Sequence, residues 1–435
     1  MKPCIVLLLV ALTCSVHGQV YTSYFTGNVN DTLVPGLGGV CMMGGASEHD
    51  EAMKWFLRQC NGGDVLVLRA SGSNGYNNYL YSQLGVDVNS VETIVCNSAQ
   101  ASYDPYVLQK IMQAEGIWFA GGDQWDYVSY WRNTPVDSLI NEALAERNIV
   151  IGGTSAGMAI LGGFYFSAKN GTVTSGAALA NPYTNKVTVD SAAFIRTPYL
   201  SKVITDTHYD NPDRQGRHIT FLARIYTDWG IEAKGIACDE YTALCIGMDG
   251  IAHAYGDYPG NDDNAWFIQT NCESDTRAPE QCTSGNPLIW DRQQTALKVY
   301  NIKGTNTGAN TFDLNTFISG TGGDWYNWYV QNGVLSTSES DRVHCQSTAI
   351  PAPQIDPVRV AVYPNPYHDG SLEIHYGQAT PTSLILTDLA GRKVAEEKQP
   401  GEYMTTMTPA LLVPGIYILS VMYPKGSYAN KIIVY

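Results

Sequence analysis

The stretch Asn148-Ile149-Val150-Ile151-Gly152-Gly153-Thr154-Ser155-Ala156-Gly157-Met158-Ala159-Ile160-Leu161-Gly162-Gly163 decides how the chain is read. An apolar strand runs straight into Gly-x-Ser-x-Gly and then into an apolar helix. That layout is a nucleophile elbow, a sharp turn that lifts a serine hydroxyl above the end of a sheet. Gly153 and Gly157 leave room for the turn, because neither brings a Cβ into it. The strand before and the helix after favour a nucleophile over a tight structural turn. The backbone N–H of Ala156, directly after the serine, is the expected first donor to an oxyanion.

Upstream, short apolar strands alternate with amphipathic helices. Cys41 to Met43 ends in the glycine turn Gly44-Gly45, and Glu48 to Cys60 has helical spacing with Met53, Phe56 and Leu57 on one face. Strands are expected at Asp64 to Leu68, Val91 to Cys96, Ile117 to Ala120 and Ile149 to Gly152. Helices are expected at Tyr76 to Leu84, Tyr106 to Ala114 and Asp137 to Arg147. The alternation implies an α/β fold, a mostly parallel sheet flanked by helices. Ligands of such sheets bind beyond the carboxyl ends of the strands, where Gly121-Gly122-Asp123-Gln124 and the elbow both fall. A glycine N–H of that turn, assigned to Gly122, is the expected second oxyanion donor.

Further strands are expected at Gly235 to Ile246, Gly250 to Tyr255, Ala265 to Gln269 and Ala296 to Ile302. Residues 336–357 have the composition of a linker, and 358–435 reads as short strands separated by turns, a small all-β sandwich. The expected organisation is therefore 1–18, 19–335, 336–357 and 358–435. The first of these reads as a signal peptide: Lys2, an apolar run from Ile5 to Leu12, and Val16-His17-Gly18 before Gln19.

The 435 residues carry a formal charge of −15, which excludes the basic footprint of nucleic-acid binding. With Cys4 and Cys14 lost with the signal, eight cysteines remain, an even number that permits disulfides in an exported chain. The expected local pair is Cys272–Cys282. Neither C-x-x-C nor clustered histidines suggest a metal, and no cofactor is expected.

A serine nucleophile needs a base. His208 stands out in Thr205-Asp206-Thr207-His208-Tyr209-Asp210-Asn211-Pro212-Asp213-Arg214-Gln215-Gly216-Arg217, a polar segment following the apolar Val203-Ile204. On the residues alone, a catalytic loop and a solvated surface loop are equal readings.

In this order, Gly-Gly-Asp-Gln, Gly-Thr-Ser-Ala-Gly and Asp-x-His followed by spaced arginines resemble the cyanophycinases and related serine peptidases, which include aspartyl dipeptidases. The resemblance spans roughly residues 36 to 250 and extends to Val67–Gly72, Tyr76-Asn77 and Cys238–Ala243. It implies a fold related to the class I glutamine amidotransferases, with Ser155 as nucleophile and His208 as base. It also implies a substrate site that includes Gln124, Asp206, Arg214 and Arg217. The implied substrate is cyanophycin, an arginine-bearing polyaspartate cut to β-Asp-Arg dipeptides. The alternatives are an α-aspartyl or isoaspartyl dipeptidase and a catalytically inactive surface-binding homologue. Two departures bear on this. The family's further arginine near Pro212 is missing, and its triad carboxylate near 176–178 is replaced by Gly176-Ala177-Ala178. Asp190, Asp206 and Glu240 are the candidate replacements, with Asp206 assigned rather to shaping the loop or binding substrate.

The last 80 or so residues resemble a type IX secretion C-terminal sorting domain. The carrying motifs are Val362-Tyr363-Pro364-Asn365-Pro366, Leu386–Val394 and Leu412–Tyr417. They imply a partner in the secretion machinery and a secreted or cell-surface protein.

Overall fold

Val150–Thr154, the strand feeding the elbow, is buried at every position, and the first sheet is assembled around it. The computed structural model describes residues 19–191, 194–344, 360–363, 371–376, 381–388, 391–398, 400, 404–409, 412–423 and 426–434. The chain divides into two units, Met1–Cys345 and Gln346–Tyr435. The expected signal peptide lies outside the described residues.

In chain order the first unit begins β1 (Tyr21–Gly27), β2 (Val40–Met43), α1 (Asp50–Gln59), β3 (Asp64–Arg69), α2 (Gly75–Asn78) and β4 (Ser90–Cys96). It continues α3 (Pro105–Gln113), β5 (Gly116–Phe119), α4 (Gln124–Trp131), α5 (Pro135–Glu146), β6 (Val150–Thr154) and α6 (Ala156–Ala159). Then come β7 (Tyr165–Phe166), α7 (Ser175–Ala180), β8 (Val189–Asp190), β9 (Val203–Asp206), α8 (Gln215–Trp229) and β10 (Lys234–Cys238). The remaining strands are β11 (Ala243–Ile246), β12 (Ile251–Tyr258), β13 (Asn264–Thr270), β14 (Leu297–Lys303), β15 (Asn310–Asp313), β16 (Gly323–Gln331) and β17 (Val334–Glu339).

The first sheet has the order β1-β4-β3-β5-β6-β2-β11-β12-β15. Its centre, β4-β3-β5-β6-β2, is parallel throughout, and antiparallel strands extend both edges. Strands buried on both faces read as unbroken apolar runs, and β3 shows why. Val65 and Val67 face α1 (Met53, Phe56), while Leu66 and Leu68 face α3 and α5 (Val107, Ile111, Ile140). Helix starts follow local chemistry. Pro105 and Pro135 open α3 and α5, and the Asp104 carboxylate accepts the Tyr106 N–H at 2.9 Å.

A second sheet, β17-β16-β14-β13-β10-β9, is antiparallel except for the β10–β9 pair. The run Gly235 to Ile246, expected as one strand, is two. β10 belongs to the second sheet, β11 to the first, and the turn between them crosses from one to the other. α8, read from sequence only as a polar loop with spaced arginines, is a helix closed by Gly230 at φ +67°.

Two further expectations are corrected. Ser336–Glu339 pairs with Tyr326–Tyr329 of β16, so the stretch expected to start the linker is in the sheet. Cys282 is a free buried thiol while Cys272 is disulfide-bonded, so the local pair does not form.

The second unit holds β18 (Val360–Tyr363), β19 (Leu372–Tyr376), β20 (Ser383–Asp388), β21 (Lys393–Glu397), β22 (Met404–Met407), β23 (Gly415–Tyr423) and β24 (Gly426–Val434). They form the sheets β18-β19-β22 and β21-β20-β23-β24, antiparallel throughout. Alternate residues such as Leu372, Ile374, Leu384, Leu386, Leu419 and Val421 make one apolar core. This is the small β-sandwich expected from the alternation. Residues 364–366 of the first sorting motif lie outside the described residues.

Glu115, just before β5, is buried, and its carboxylate accepts the Asp64 N–H at 2.8 Å. Burial pushes its pKa up to about 7 against the pull of that hydrogen bond. The unfolded group titrates near ~4.3. Between these values the folded state holds a proton that the unfolded state has lost, so stability falls as pH rises through this window. Glu115→Gln keeps the acceptor for Asp64 and removes the titration. The drop in thermal midpoint from pH 5 to pH 8 is expected to be smaller in the variant, measured by circular dichroism.

Candidate active site

Ser155 sits between β6 and α6 with φ +50° and ψ −115°, a conformation that costs a residue with a Cβ about 1–3 kcal/mol. The surroundings impose it. The Ser155 N–H donates to Met43 O at 3.0 Å, and the two flanking glycines are pressed against backbone. A Cβ on Gly153 would lie 2.6 Å from the Gly157 carbonyl carbon, and one on Gly157 would overlap the Phe119 carbonyl oxygen. Both glycines are therefore required by space as well as by the turn.

His208 follows β9 and also takes a positive φ, +47°. Its N–H donates to Gly44 O at 2.9 Å. Gly45, at φ +129°, abuts the imidazole so closely that any side chain there would overlap the ring. His208 Nε2 lies 2.8 Å from Ser155 Oγ, and Nδ1 lies 2.6 Å from Glu240 Oε1. A carboxylate at Nδ1 holds the proton there and leaves the Nε2 lone pair for the serine hydroxyl.

Glu240 comes from the turn between β10 and β11. Its own N–H donates to Asp210 Oδ1 at 2.9 Å, and Asn211 Nδ2 reaches Oε2 at 3.4 Å. The hydrogen bond to His208 lowers its pKa below the usual carboxylate range, against the opposing effect of burial. The turn is tied to the glycines after β2 by Gly44 N–H to Thr242 O at 2.9 Å and Tyr241 N–H to Gly45 O at 3.1 Å.

Asp190, another candidate partner for the histidine, instead receives Arg132 Nη1 at 2.6 Å; the same guanidinium donates to the Tyr165 hydroxyl oxygen at 3.0 Å. Gln124 opens α4 behind the capping Asp123, and its Nε2 donates weakly to Phe166 O at 3.4 Å. The Gly121-Gly122 turn borders the elbow, with the Cβ position of Gly121 3.6 Å from Ser155 Cβ.

Asp206 and Arg217, expected to face substrate, face each other. Arg217 is 2% and Asp206 3% exposed, and they form a bidentate pair that includes Nε to Oδ2 at 2.8 Å. Arg217 Nη1 also donates to Thr172 Oγ1 at 3.1 Å, and the guanidinium lies against the rings of Phe166 and Phe221. Burial alone would raise the Asp206 pKa, but Arg217's charge and hydrogen bonds leave it lowered. The pair holds α8 to the end of β9 and leaves neither group for a ligand. Arg214 is different. It is half-buried, donates Nη1 to Thr207 O at 2.8 Å, and leaves its buried Nε without a partner. Burial, with Arg217 nearby, lowers its pKa.

Asp210, Asn211 and the Gly44-Gly45 turn were not singled out as site residues by sequence. The two glycines after an apolar strand were the available signal. Arg217→Met leaves a buried, unpaired carboxylate at Asp206. It is expected to lower stability by about 3–5 kcal/mol in urea titration.

Comparison with known proteins finds one family match within each unit. Residues 48–177 match Peptidase family S51, and residues 361–435 match the Secretion system C-terminal sorting domain. Cyanophycinases of Trichormus variabilis and of Nostoc sp. are each 25% identical over 177 residues, 41% of this chain and 53% of theirs. The chain thus spans about half the length of the curated relatives it matches. Among solved structures, a peptidase from an acI-B1 Actinobacterium aligns over 64% of this chain and 97% of its own, with TM-score 0.41 and 13% identity. A putative peptidase E from Listeria monocytogenes EGD-e aligns over 51% and 98%, with TM-score 0.33 and 16% identity. The chain carries a Peptidase family S51 domain followed, at its C-terminus, by a type IX secretion sorting domain.

Proposed function

We propose that the protein is a serine exopeptidase of the cyanophycinase type, exported by the pathway that its sorting domain serves. The observation that carries this reading is the unbroken contact from Ser155 Oγ through His208 to Glu240. His208 Nε2 takes the serine proton as Oγ attacks the scissile carbonyl, and Glu240 stabilises the imidazolium that forms. The Ala156 N–H and, from the turn bordering the elbow, the Gly122 N–H donate to the oxyanion. Collapse breaks the C–N bond as His208 protonates the leaving amine. A water activated by the same nitrogen then hydrolyses the acyl-enzyme.

Asp190 has no part in this scheme, and Asp206 with Arg217 supports the histidine loop from behind. Arg214, with its unpartnered Nε, and Gln124 are the side chains left to meet substrate. A guanidinium suits a carboxylate, and the two candidate substrate classes, cyanophycin and short α-aspartyl or isoaspartyl peptides, both supply one. The inactive-homologue reading drew its support from the missing carboxylate, and the 2.6 Å contact of Glu240 Oε1 with His208 Nδ1 favours the active reading over it.

Ser155→Ala is expected to abolish hydrolysis of cyanophycin and of aspartyl peptides, followed by product analysis. Glu240→Gln is expected to lower kcat by about 10³–10⁴-fold, whereas Asp190→Asn leaves it near wild type. Equal losses in the last two would reject Glu240 as the histidine's partner.

A further inference from the structure

Sheet two carries a groove of about 320 Å³ whose lining includes Gln215, Asn264, Trp266, Asn301, Lys303 and Tyr326. Its position follows from strand register. Trp266 is opposite Asn301, and Asn264 is opposite Lys303, so all four side chains share one face, as does Tyr326 opposite Val299. Farther along that face, Ile268 and Val299 belong to the apolar cluster that includes Ile219, Phe221 and Leu222 of α8, and Trp328 lines the groove beside Trp266. The helix begins only at Gln215 and leaves the near end of the face open.

That open end is the end at which β9 and β10 deliver His208 and Glu240. Asp239, the neighbour of Glu240, donates its N–H to Asn264 O at 3.0 Å and accepts Trp266 Nε1–H at 3.1 Å. The Trp266 ring lies 5.9 Å from that of Tyr209, the residue after His208. The groove is thus continuous with the backbone that holds the histidine and its carboxylate.

Its chemistry is neutral and polar. Lys303 Nζ is occupied by Asp262 and by Asn264 Oδ1 at 2.8 Å, which removes the one cation in the lining as an anchor for a carboxylate. Asn301 is 7% exposed, yet its Nδ2 has no hydrogen-bond partner. A buried amide left unsatisfied costs free energy that a ligand can return. A half-turn about χ2 exchanges its nitrogen and oxygen, so it can offer a donor or an acceptor to the groove. Planar aromatic faces beside uncharged amides suit a polypeptide main chain, whose peptide planes stack and whose N–H and C=O groups alternate.

We infer that this groove is an extended subsite that holds the uncharged backbone of a peptide substrate away from the scissile residue. The inference rests on the peptidase reading of Ser155. It makes the enzyme one that grips a chain while cutting at its end, and it favours long substrates over dipeptides.

The test compares an aspartyl octapeptide with the aspartyl dipeptide of the same terminal sequence. In Asn301→Ala and in Tyr326→Ala, KM for the octapeptide is expected to rise about fivefold, the equivalent of one net hydrogen bond, with kcat unchanged. KM for the dipeptide is expected to stay at the wild-type value. Equal changes for both lengths, or none for the octapeptide, would overturn the subsite while leaving the peptidase standing. A second arm titrates the octapeptide into full-length Ser155→Ala protein and follows tryptophan fluorescence. Saturable binding weakened about fivefold by Asn301→Ala supports the groove even if the wild type proves inactive. Quenching by a neutral oligosaccharide but not by the octapeptide would reject a peptide as its ligand.

Discussion

The site depends on three backbone hydrogen bonds that clasp Gly44 and Gly45. One runs from His208 N–H to Gly44 O, one from Gly44 N–H to Thr242 O, and one from Tyr241 N–H to Gly45 O. Ser155 belongs to the first sheet, while His208 and Glu240 arrive on strands of the second. A nucleophile and a base on separate sheets stay within hydrogen-bonding distance only if the two strand ends are fixed to each other. The glycine turn after β2 does this, and it does so without side chains because the imidazole occupies the space a Cβ would need. The chain crosses between sheets at the same place, so the turn that joins β10 to β11 also sets the position of Glu240. β11 then pairs directly with β2, Ala243 opposite Met43, which locks the crossing.

The site also carries backbone strain. Ser155 and His208 both hold positive φ, each costing about 1–3 kcal/mol outside the left-handed preference of glycine. Such conformations persist only where packing over-determines them. Around Ser155 the constraint is steric, with Gly153 and Gly157 wedged against backbone. Around His208 it is polar and lies behind the loop, in the buried Asp206–Arg217 pair and the Arg214 bond to Thr207 O. The string of charges thus contains a buried pair that braces the loop and a partly buried arginine whose Nε has no hydrogen-bond partner.

The elbow, the parallel centre of the first sheet and the C-terminal sandwich were legible because each has a strong local period. Ile149 to Gly152 carries no polar side chain, and the last 75 or so residues read as short strands separated by turns. The partner of the histidine was legible only as one of three carboxylates, Asp190, Asp206 and Glu240. Glu240 follows His208 in sequence, inside a run from Gly235 to Ile246 that reads as a single strand. Only the change of sheet at Asp239–Thr242 turns its side chain toward the imidazole, and that change is a tertiary fact with no local signature. Arg217 was misread as a substrate residue, and its pairing with Asp206 went unseen, for a related reason. Eleven positions separate them, and nothing in their spacing tells that α8 returns its first turn onto the end of β9 and buries both. The disulfide guess failed on proximity alone, since closeness in sequence between Cys272 and Cys282 carries no information about which thiols meet in space.

Asp239 and Glu240 show how one turn supplies two unlike carboxyl groups. Burial raises the Asp239 pKa to about 7, against the hydrogen bonds from Asn264 and Trp266. Glu240, one residue on, is lowered chiefly by its hydrogen bond to His208. The Asp239 carboxylate accepts from Asn264 and Trp266 of β13, and the Glu240 carboxylate faces the His208 ring. The first is a structural group that binds β13 to the turn and titrates close to neutrality. The second remains an anion through the range in which a histidine can act as base. Placing the pKa values of neighbouring carboxyl groups apart assigns them separate roles. Here the assignment is made by the direction of two side chains, fixed by the same turn that joins the sheets.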